Sequence, residues 1–146
     1  MSSKYEVEVI CGSDHAGFEL KQKICSYLSS HHTVSAITDT GCFSDERVDY
    51  PDYAQKVAHM MTKSGFENKI GVLVCGTGIG IGIAANRFEH IRCALCTDTY
   101  SAEMARKHND ANCISLGARR TSFEDAVKIV EKFLETEFEG GRHQKR

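Results

Sequence analysis

The sequence predicts an α/β protein, a three-layer sandwich in which helices cover both faces of one sheet of about five parallel strands. This prediction rests on one pattern in the sequence and one rule of sheet topology. Five short apolar runs, each bounded by Gly, Asp or Asn, alternate along the chain with helix-like segments. Strands separated by helices are joined by right-handed crossovers, and such crossovers build parallel sheets that are covered on both faces.

Each element has its own local signal. The predicted strands are YEVEVI (5–10), TVSAI (33–37), IGVLV (70–74), RCALC (92–96) and NCISL (112–116). The predicted helices are Phe18 to Ser29, Tyr53 to Lys63, Ile79 to Phe88, Ser101 to His108 and Phe123 to Phe138. The last helix has the clearest pattern, because its apolar residues recur at helical spacing. Thr121 and Glu124 have the spacing of a capping box at its start.

The length and net charge of the chain limit its number of domains and its classes of partner. The 146 residues suffice for one domain, so we assign 1–138 to a single α/β domain and 139–146, EGGRHQKR, to a basic tail. A net charge of −2 provides no field for nucleic acid or a membrane surface, and neither is expected as a partner. The start, MSSKYEVEVI, lacks the apolar core of a signal peptide, and run 70–85 is too glycine-rich to span a bilayer. We therefore expect a cytoplasmic protein.

The seven cysteines are expected to be free thiols, because no export signal accompanies them. Cys93 and Cys96 form a C-x-x-C pair inside a predicted strand. Residues three apart on a strand point to opposite faces, so core packing is favoured over a zinc site or a redox dithiol.

Polar residues cluster where the predicted strands end, and ligands of open parallel sheets bind outside those carboxyl ends. The loops in question carry Asp14 and His15, Cys75 and Thr77, Thr97 and Asp98, His108 and Asn109, and Arg119. We expect them to converge on one edge of the sheet. Local roles explain some of them equally well: Asp14 and His15 can cap the turn before Phe18, and His108 can be a cation at a helix C-terminus.

Residues 75–86 read CGTGIGIGIAAN, with a glycine at every second position from 76 to 82. A Walker phosphate loop is excluded, because Thr77 stands where that motif requires Lys. The dinucleotide fingerprint G-x-G-x-x-A matches at Gly80, Gly82 and Ala85. That match begins inside the predicted helix, in the third βα unit, and the chain has no separate substrate domain. A nucleotide-binding module therefore stays an alternative.

A third interpretation treats Gly76, Gly78 and Gly80 as backbone N–H donors at the start of a helix, an arrangement that attracts anions. The same field favours the thiolate of Cys75. A thiolate beside an anion site suits acyl transfer or proton abstraction next to a carbonyl. Close packing of the third helix on the sheet explains the glycines equally well.

Six motifs, in chain order, carry a resemblance to a known family. They are GSDHAGFELK, DYPDYA, VCGTGIGIGIAANRF, HIRCAL, HNDANCISLGAR and FEGGRHQKR. Together they resemble ribose-5-phosphate isomerase type B nearly end to end, a family that also contains enzymes acting on galactose 6-phosphate and allose 6-phosphate. The resemblance implies a Rossmann-like α/β sandwich, a homodimer with shared active sites, a sugar-phosphate substrate, no metal and no cofactor.

The resemblance also implies a role for each matched residue. Cys75 matches the catalytic base, which moves a proton between carbons 2 and 1 of the open-chain sugar phosphate. His108 matches the acid/base that opens the furanose ring. The loop that holds the enediolate oxygens is matched by Gly76, Gly78, Ile79 and Gly80, and Asn109 matches a residue that binds hydroxyls. Asp14 and His15 match contacts to the sugar and the phosphate, and Thr77 matches a position that assists ring opening or holds a hydroxyl. The phosphate ligands are matched by Arg119, Arg142 and Arg146.

Two further positions refine the resemblance. Relatives without the cysteine use a glutamate at the position of Ile81, so this chain resembles the cysteine users. Gly82 departs from the serine that many relatives carry. The expected activity is interconversion of ribose 5-phosphate and ribulose 5-phosphate. The alternatives are a hexose 6-phosphate isomerase, for allose or galactose, and, from another class, a nucleotide-binding or regulatory module.

Overall fold

Five strands and five α-helices alternate in the computed structural model, which describes residues 6–61 and 68–146. The strands are β1 (Val7–Ser13), β2 (Val34–Asp39), β3 (Lys69–Cys75), β4 (Cys93–Leu95) and β5 (Cys113–Gly117). The helices are α1 (Phe18–Leu28), α2 (Tyr50–Met61), α3 (Ile79–Asn86), α4 (Thr99–Lys107) and α5 (Phe123–Glu135). A short 3-10 helix, Gly141–His143, follows in the tail.

All five strands are parallel and lie in the order β2-β1-β3-β5-β4. Ser13 pairs with Val74, and Cys75 pairs with Gly117. The carboxyl ends of β1, β3 and β5 therefore lie side by side at one edge of the sheet. The predicted α/β sandwich with one parallel sheet is confirmed.

Two apolar clusters fill the space between the sheet and its helices. Val72 and Val74 belong to the cluster beneath α1, α4 and α5, together with the buried Phe133. Leu73 belongs to the cluster beneath α2 and α3, together with Val57. Neighbouring residues divide in this way because successive side chains of a strand point to opposite faces.

Helix α2 begins earlier than predicted. It starts at Tyr50 instead of Tyr53, with Pro51 inside the first turn. Proline is tolerated there because the N–H groups of a first helical turn have no intrahelical acceptor. The predicted end of this helix, at Lys63, lies outside the described residues.

Helix α5 confirms the predicted amphipathic pattern and begins at Phe123 as predicted, but its C-terminal end and its N-cap residue differ. It stops at Glu135, three residues before the predicted end, where the backbone of Thr136 becomes extended. Its N-cap is Ser122, whose Oγ accepts a hydrogen bond from the N–H of Asp125 at 3.2 Å. The capping box predicted at Thr121 is therefore wrong by one residue.

The C-x-x-C pair separates across the sheet as predicted. Cys96 is buried in the cluster beneath α1, α4 and α5, whereas Cys93 packs against the cluster on the other face. All seven cysteines are free thiols. In the ranges that the structure describes, no helix combines the length and the apolar character needed to cross a bilayer.

Candidate active site

A cavity of about 500 Å³ opens at the carboxyl ends of β1, β3 and β5. Three loops supply most of its lining, one after each of these strands, because the strand ends lie side by side. The predicted site residues that line it are Asp14, His15, Cys75, Gly76, Thr77, Ile79, Gly80 and Arg119. The structure thus brings eight of the predicted residues to one place.

Cys75 is the last residue of β3, and its side chain is buried beneath this cavity. Its Sγ accepts a hydrogen bond from the N–H of Gly78 at 3.1 Å. Gly78 is the N-cap of α3 and has a φ of 81°, a left-handed conformation that glycine adopts without strain. The sulfur therefore lies at the positive end of a helix, with a backbone donor directed at it.

Thr77 lies in the same turn and lines the cavity. Its side chain is exposed, and its Oγ1 accepts a hydrogen bond from the N–H of Ile79 at 3.2 Å. The amides of Gly78 and Ile79, both predicted to contact substrate, thus have side-chain acceptors within the loop.

Gly76 and Gly80 leave room for two side chains of the cavity. A Cβ at Gly76 would lie 2.8 Å from Nη1 of Arg119. A Cβ at Gly80 would lie 2.5 Å from Cζ of the Tyr50 ring. These two glycines allow Arg119 and Tyr50 to lie directly against the loop backbone.

Gly78 and Gly82 serve close packing instead. A Cβ at Gly78 would lie 2.8 Å from the carbonyl carbon of Leu116 in β5. A Cβ at Gly82 would lie 2.8 Å from Oγ of Ser115, also in β5. Close packing on the sheet therefore accounts for Gly78 and Gly82, and the role of the loop amides in binding an anion stays a prediction. Ser115 also explains why a larger residue than glycine fits poorly at position 82.

The turn after β1 is fixed by its own hydrogen bonds. Asp14 is buried, and its Oδ1 accepts from the N–H of Gly17 at 3.1 Å, so it closes the turn before α1 without capping an N–H of the helix itself. Nδ1 of His15 lies 3.2 Å from both the N and the O of Val48, which precedes α2. These contacts hold His15 at the cavity wall.

His108 belongs to a second group of side chains, formed where the tail meets the end of α4. Its ring stacks on that of His143, with 4.3 Å between centroids and an interplanar angle of 16°. Oε1 of Glu139 lies 3.9 Å from Nε2 of His108 and 3.6 Å from Nε2 of His143. Burial, followed by the charges of His108, Arg142 and Arg146, lowers the pKa of His143.

The basic tail packs against the protein. The N–H of Glu139 donates to the carbonyl of Lys107 at 3.1 Å, and His143 is only 4% exposed. Arg142 and Arg146, on either side of it in the chain, are exposed.

Within one chain, the prediction that all these loops converge is wrong for the end of α4. Among the described residues, the lining of the Cys75 cavity does not include His108, Asn109, Arg142 or Arg146. Asn109 lines a different cavity of about 480 Å³, beside Arg92 and Cys93. The reason is geometrical: a crossover helix runs back toward the amino end of the next strand, so the last turn of α4 lies away from the carboxyl edge.

One group in the described part of the chain has the composition of a metal site. Its members are His108, Glu139 and His143, whose ligand atoms lie within 4.8 Å of one another. The two rings are nearly parallel, so their in-plane lone pairs do not converge on one point, and Nη1 of Arg146 faces Nδ1 of His143 at 3.4 Å. This is not the geometry of a formed metal site. The prediction of no metal and no cofactor rests on the resemblance.

Three cavity residues are absent from the predicted set, and one of them is Ala16 in the turn after β1. Tyr50, at the start of α2, and Ile83, on α3, both line the cavity. Ile83 follows Ile79 by four residues, a helical spacing that places both on one face of α3. Tyr50 belongs to the DYPDYA motif, and the resemblance of this motif to the family was the sequence signal that could have identified it.

Comparison with known proteins identifies the family of the chain. The model of the Ribose/Galactose Isomerase family matches residues 9–146. The chain belongs to the ribose/galactose isomerase family. Ribose-5-phosphate isomerase B of Escherichia coli is 44% identical to it over 139 residues, which cover 95% of this chain and 91% of that protein. The family named from the six motifs is thus confirmed.

Solved structures of isomerases share the fold. The ribose 5-phosphate isomerase of Thermotoga maritima is 46% identical, with a TM-score of 0.90 over 97% of this chain and 95% of that one. Ribose-5-phosphate isomerase B of Mycoplasma genitalium, solved with bound ribulose-5-phosphate, is 36% identical, with a TM-score of 0.89 over 97% and 92%.

Proposed function

We propose that this isomerase interconverts D-ribose 5-phosphate and D-ribulose 5-phosphate through an enediolate, with Cys75 as the base and His108 as the acid/base that opens the ring. The supporting observation is the position of the Cys75 sulfur, which lies at the N-terminus of α3 and beneath a cavity with Arg119 in its lining. The family match and the named relatives support the sugar-phosphate substrate.

The chemistry requires a base and anion stabilisation at the same place. The Cys75 thiolate removes the proton from carbon 2 of the open-chain aldose and returns it to carbon 1. Negative charge develops on the sugar oxygens in between, next to the loop at the start of α3. Preorganised donors at such a position lower the barrier, and loss of one typically costs about 3 kcal/mol. Thr77, at the mouth of the loop, holds a sugar hydroxyl or assists ring opening.

We also infer that a second copy of the chain completes each site. The chemistry needs His108 for ring opening, Asn109 for hydroxyls, and Arg142 and Arg146 for the phosphate, yet these residues lie outside the cavity of their own chain. Apolar side chains beside the cavity are exposed, with Ile79 at 51% and Ile83 at 59%. Leu95, on the edge strand β4, and Tyr100, in α4, are also exposed, and exposed apolar side chains are what a homodimer interface covers.

The substrate is tested with purified protein and three aldose phosphates: ribose 5-phosphate, allose 6-phosphate and galactose 6-phosphate. We expect the highest kcat/KM for ribose 5-phosphate, with a primary isotope effect when carbon 2 carries deuterium. Faster turnover of a hexose 6-phosphate would replace the substrate and keep the reaction class. No turnover, together with saturable calorimetric binding of a dinucleotide alone, would overturn the isomerase assignment.

The shared site is tested by complementation between two inactive variants. Cys75→Ala and His108→Asn are purified separately, mixed in equal amounts under exchanging conditions and assayed. Each mixed dimer contains one site with both residues intact, so activity should recover to about a quarter of the wild-type value. Mixed dimers that form, as seen by native mass spectrometry, but stay inactive would contradict the shared site.

A further inference from the structure

A close pair of thiols lies between β1 and α1. Sγ of Cys25 lies 2.9 Å from Sγ of Cys11. A disulfide holds its sulfurs at about 2.05 Å, so these two need to approach by less than about 1 Å. In the described part of the chain, neither cysteine lines the cavity around Cys75, and the proposed isomerisation uses neither.

The two sulfurs differ in access. Cys11 is completely buried in the core cluster beneath α1, whereas Cys25 is half-buried and packs at the border of that cluster. A small oxidant that arrives from solvent therefore meets Cys25 first. Cys11 lies behind it, within reach of the Cys25 sulfur.

The two thiols also differ in acidity. The hydrogen bond with Cys11 lowers the pKa of Cys25, with a smaller contribution from the Lys21 ammonium, against the opposing effects of burial and Asp39. The same hydrogen bond and burial raise the pKa of Cys11 well above its usual range. The more accessible sulfur, Cys25, is thus the one that ionises more readily, and the thiolate is the nucleophilic form.

We propose that Cys11 and Cys25 form an oxidation site that a hydroperoxide converts into a disulfide. The Cys25 thiolate attacks one oxygen of hydrogen peroxide: an S–O bond forms, the O–O bond breaks, and hydroxide leaves to be protonated to water. Cys11 then attacks the Cys25 sulfur: the S–S bond forms, the S–O bond breaks, and the hydroxyl leaves as water with the Cys11 proton. The pair loses two electrons and the peroxide gains them.

The bridge closes the segment between residues 11 and 25, which contains the turn that holds Asp14 and His15 at the cavity. A cross-link of this kind restricts the unfolded chain and stabilises the native state. For a segment of this length we expect oxidation to raise the melting temperature on the order of 5 °C.

The test uses the full-length reduced protein, treated with one equivalent of hydrogen peroxide and then with N-ethylmaleimide. Non-reducing digestion and mass spectrometry should find one cross-linked peptide that joins Cys11 to Cys25, and the melting temperature should rise and return after dithiothreitol. Both cysteines recovered as maleimide adducts while other cysteines are oxidised, or Cys25 bonded elsewhere, would overturn the proposal. An unchanged melting temperature of the cross-linked protein would overturn the stabilising effect.

Two variants sharpen the test. Cys93→Ser is the matched control. Like Cys25, Cys93 is half-buried and has a buried cysteine beside it, because it pairs in register with Cys113 on the neighbouring strand. This control should keep the Cys11–Cys25 cross-link. Cys11→Ser should lose it and accumulate a sulfenic acid on Cys25 that dimedone traps. A cross-link lost in Cys93→Ser, or no dimedone adduct on Cys25 in folded Cys11→Ser, would contradict the assignment.

Discussion

The N–H of Gly78 donates a hydrogen bond to Sγ of Cys75 across the junction of β3 and α3, at 3.1 Å. The contact fixes the thiol at the end of the helix that carries positive partial charge. It depends on the left-handed backbone of Gly78, with a φ of 81°. A buried cysteine in this position has the surroundings that a base for proton abstraction requires.

Replacement of Cys75 by alanine should reduce kcat by about a thousandfold, the usual contribution of a positioned general base. The fold and phosphate binding should persist, because the thiol is one small group at the edge of the core. Cys96→Ala is the matched control, since Cys96 is equally buried but lies outside the cavity. Steady-state kinetics and calorimetry with ribose 5-phosphate measure both effects, and near-normal turnover of Cys75→Ala would refute the role of base.

Arg142→Ala and Arg146→Ala should each raise KM for ribose 5-phosphate about tenfold, because each removes a charged hydrogen bond to phosphate. Point variants are preferable to truncation of the tail, which would also remove the buried His143 that stacks on His108. Lys145→Ala should leave KM unchanged and serves as the control. Unaltered KM in both arginine variants would mean that the tail does not bind phosphate.

Gly117→Ala should destabilise the protein by about 1–3 kcal/mol and lower kcat. A Cβ at Gly117 would lie 2.5 Å from the carbonyl oxygen of Thr77, a backbone atom that moves only if the loop between β3 and α3 moves. Gly71→Ala is a milder comparison, because its Cβ would first meet the sulfurs of Cys113 and Met61. Urea unfolding and kcat are measured for both variants. If Gly71→Ala lost as much kcat as Gly117→Ala, the loss could not be attributed to displacement of the loop that contains Thr77.

The free energy of unfolding should decrease as the pH falls below about 6.5. Burial, followed by the charges of His108, Arg142 and Arg146, lowers the pKa of His143 in the folded protein. The unfolded chain therefore binds a proton at this position before the native protein does, which favours unfolding in acid. Urea titrations between pH 7.5 and 5.5 should show a shallower pH dependence in His143→Gln than in the wild type. His32→Gln, at an exposed position, should keep the wild-type slope, and equal slopes in all three proteins would contradict this role of His143.

Much of the fold follows from local pattern. Alternation of apolar runs and helical segments predicted the parallel sheet, and helical spacing predicted α5. The opposite faces of Cys93 and Cys96 followed from the period of a strand. Errors lie at element ends: α2 begins at Tyr50 with a proline in its first turn, and the N-cap of α5 is Ser122 instead of Thr121.

The sequence by itself determined the elements, the family and the loops after β1, β3 and β5, because spacing and strand ends are local properties. Only the tertiary structure decided which of those loops share a cavity and which glycines serve packing. It also placed the tail against α4, separated His108 from Cys75 within one chain, and set Cys25 beside Cys11. Such contacts join residues far apart along the chain, and the direction in which each crossover helix returns to the sheet fixes them.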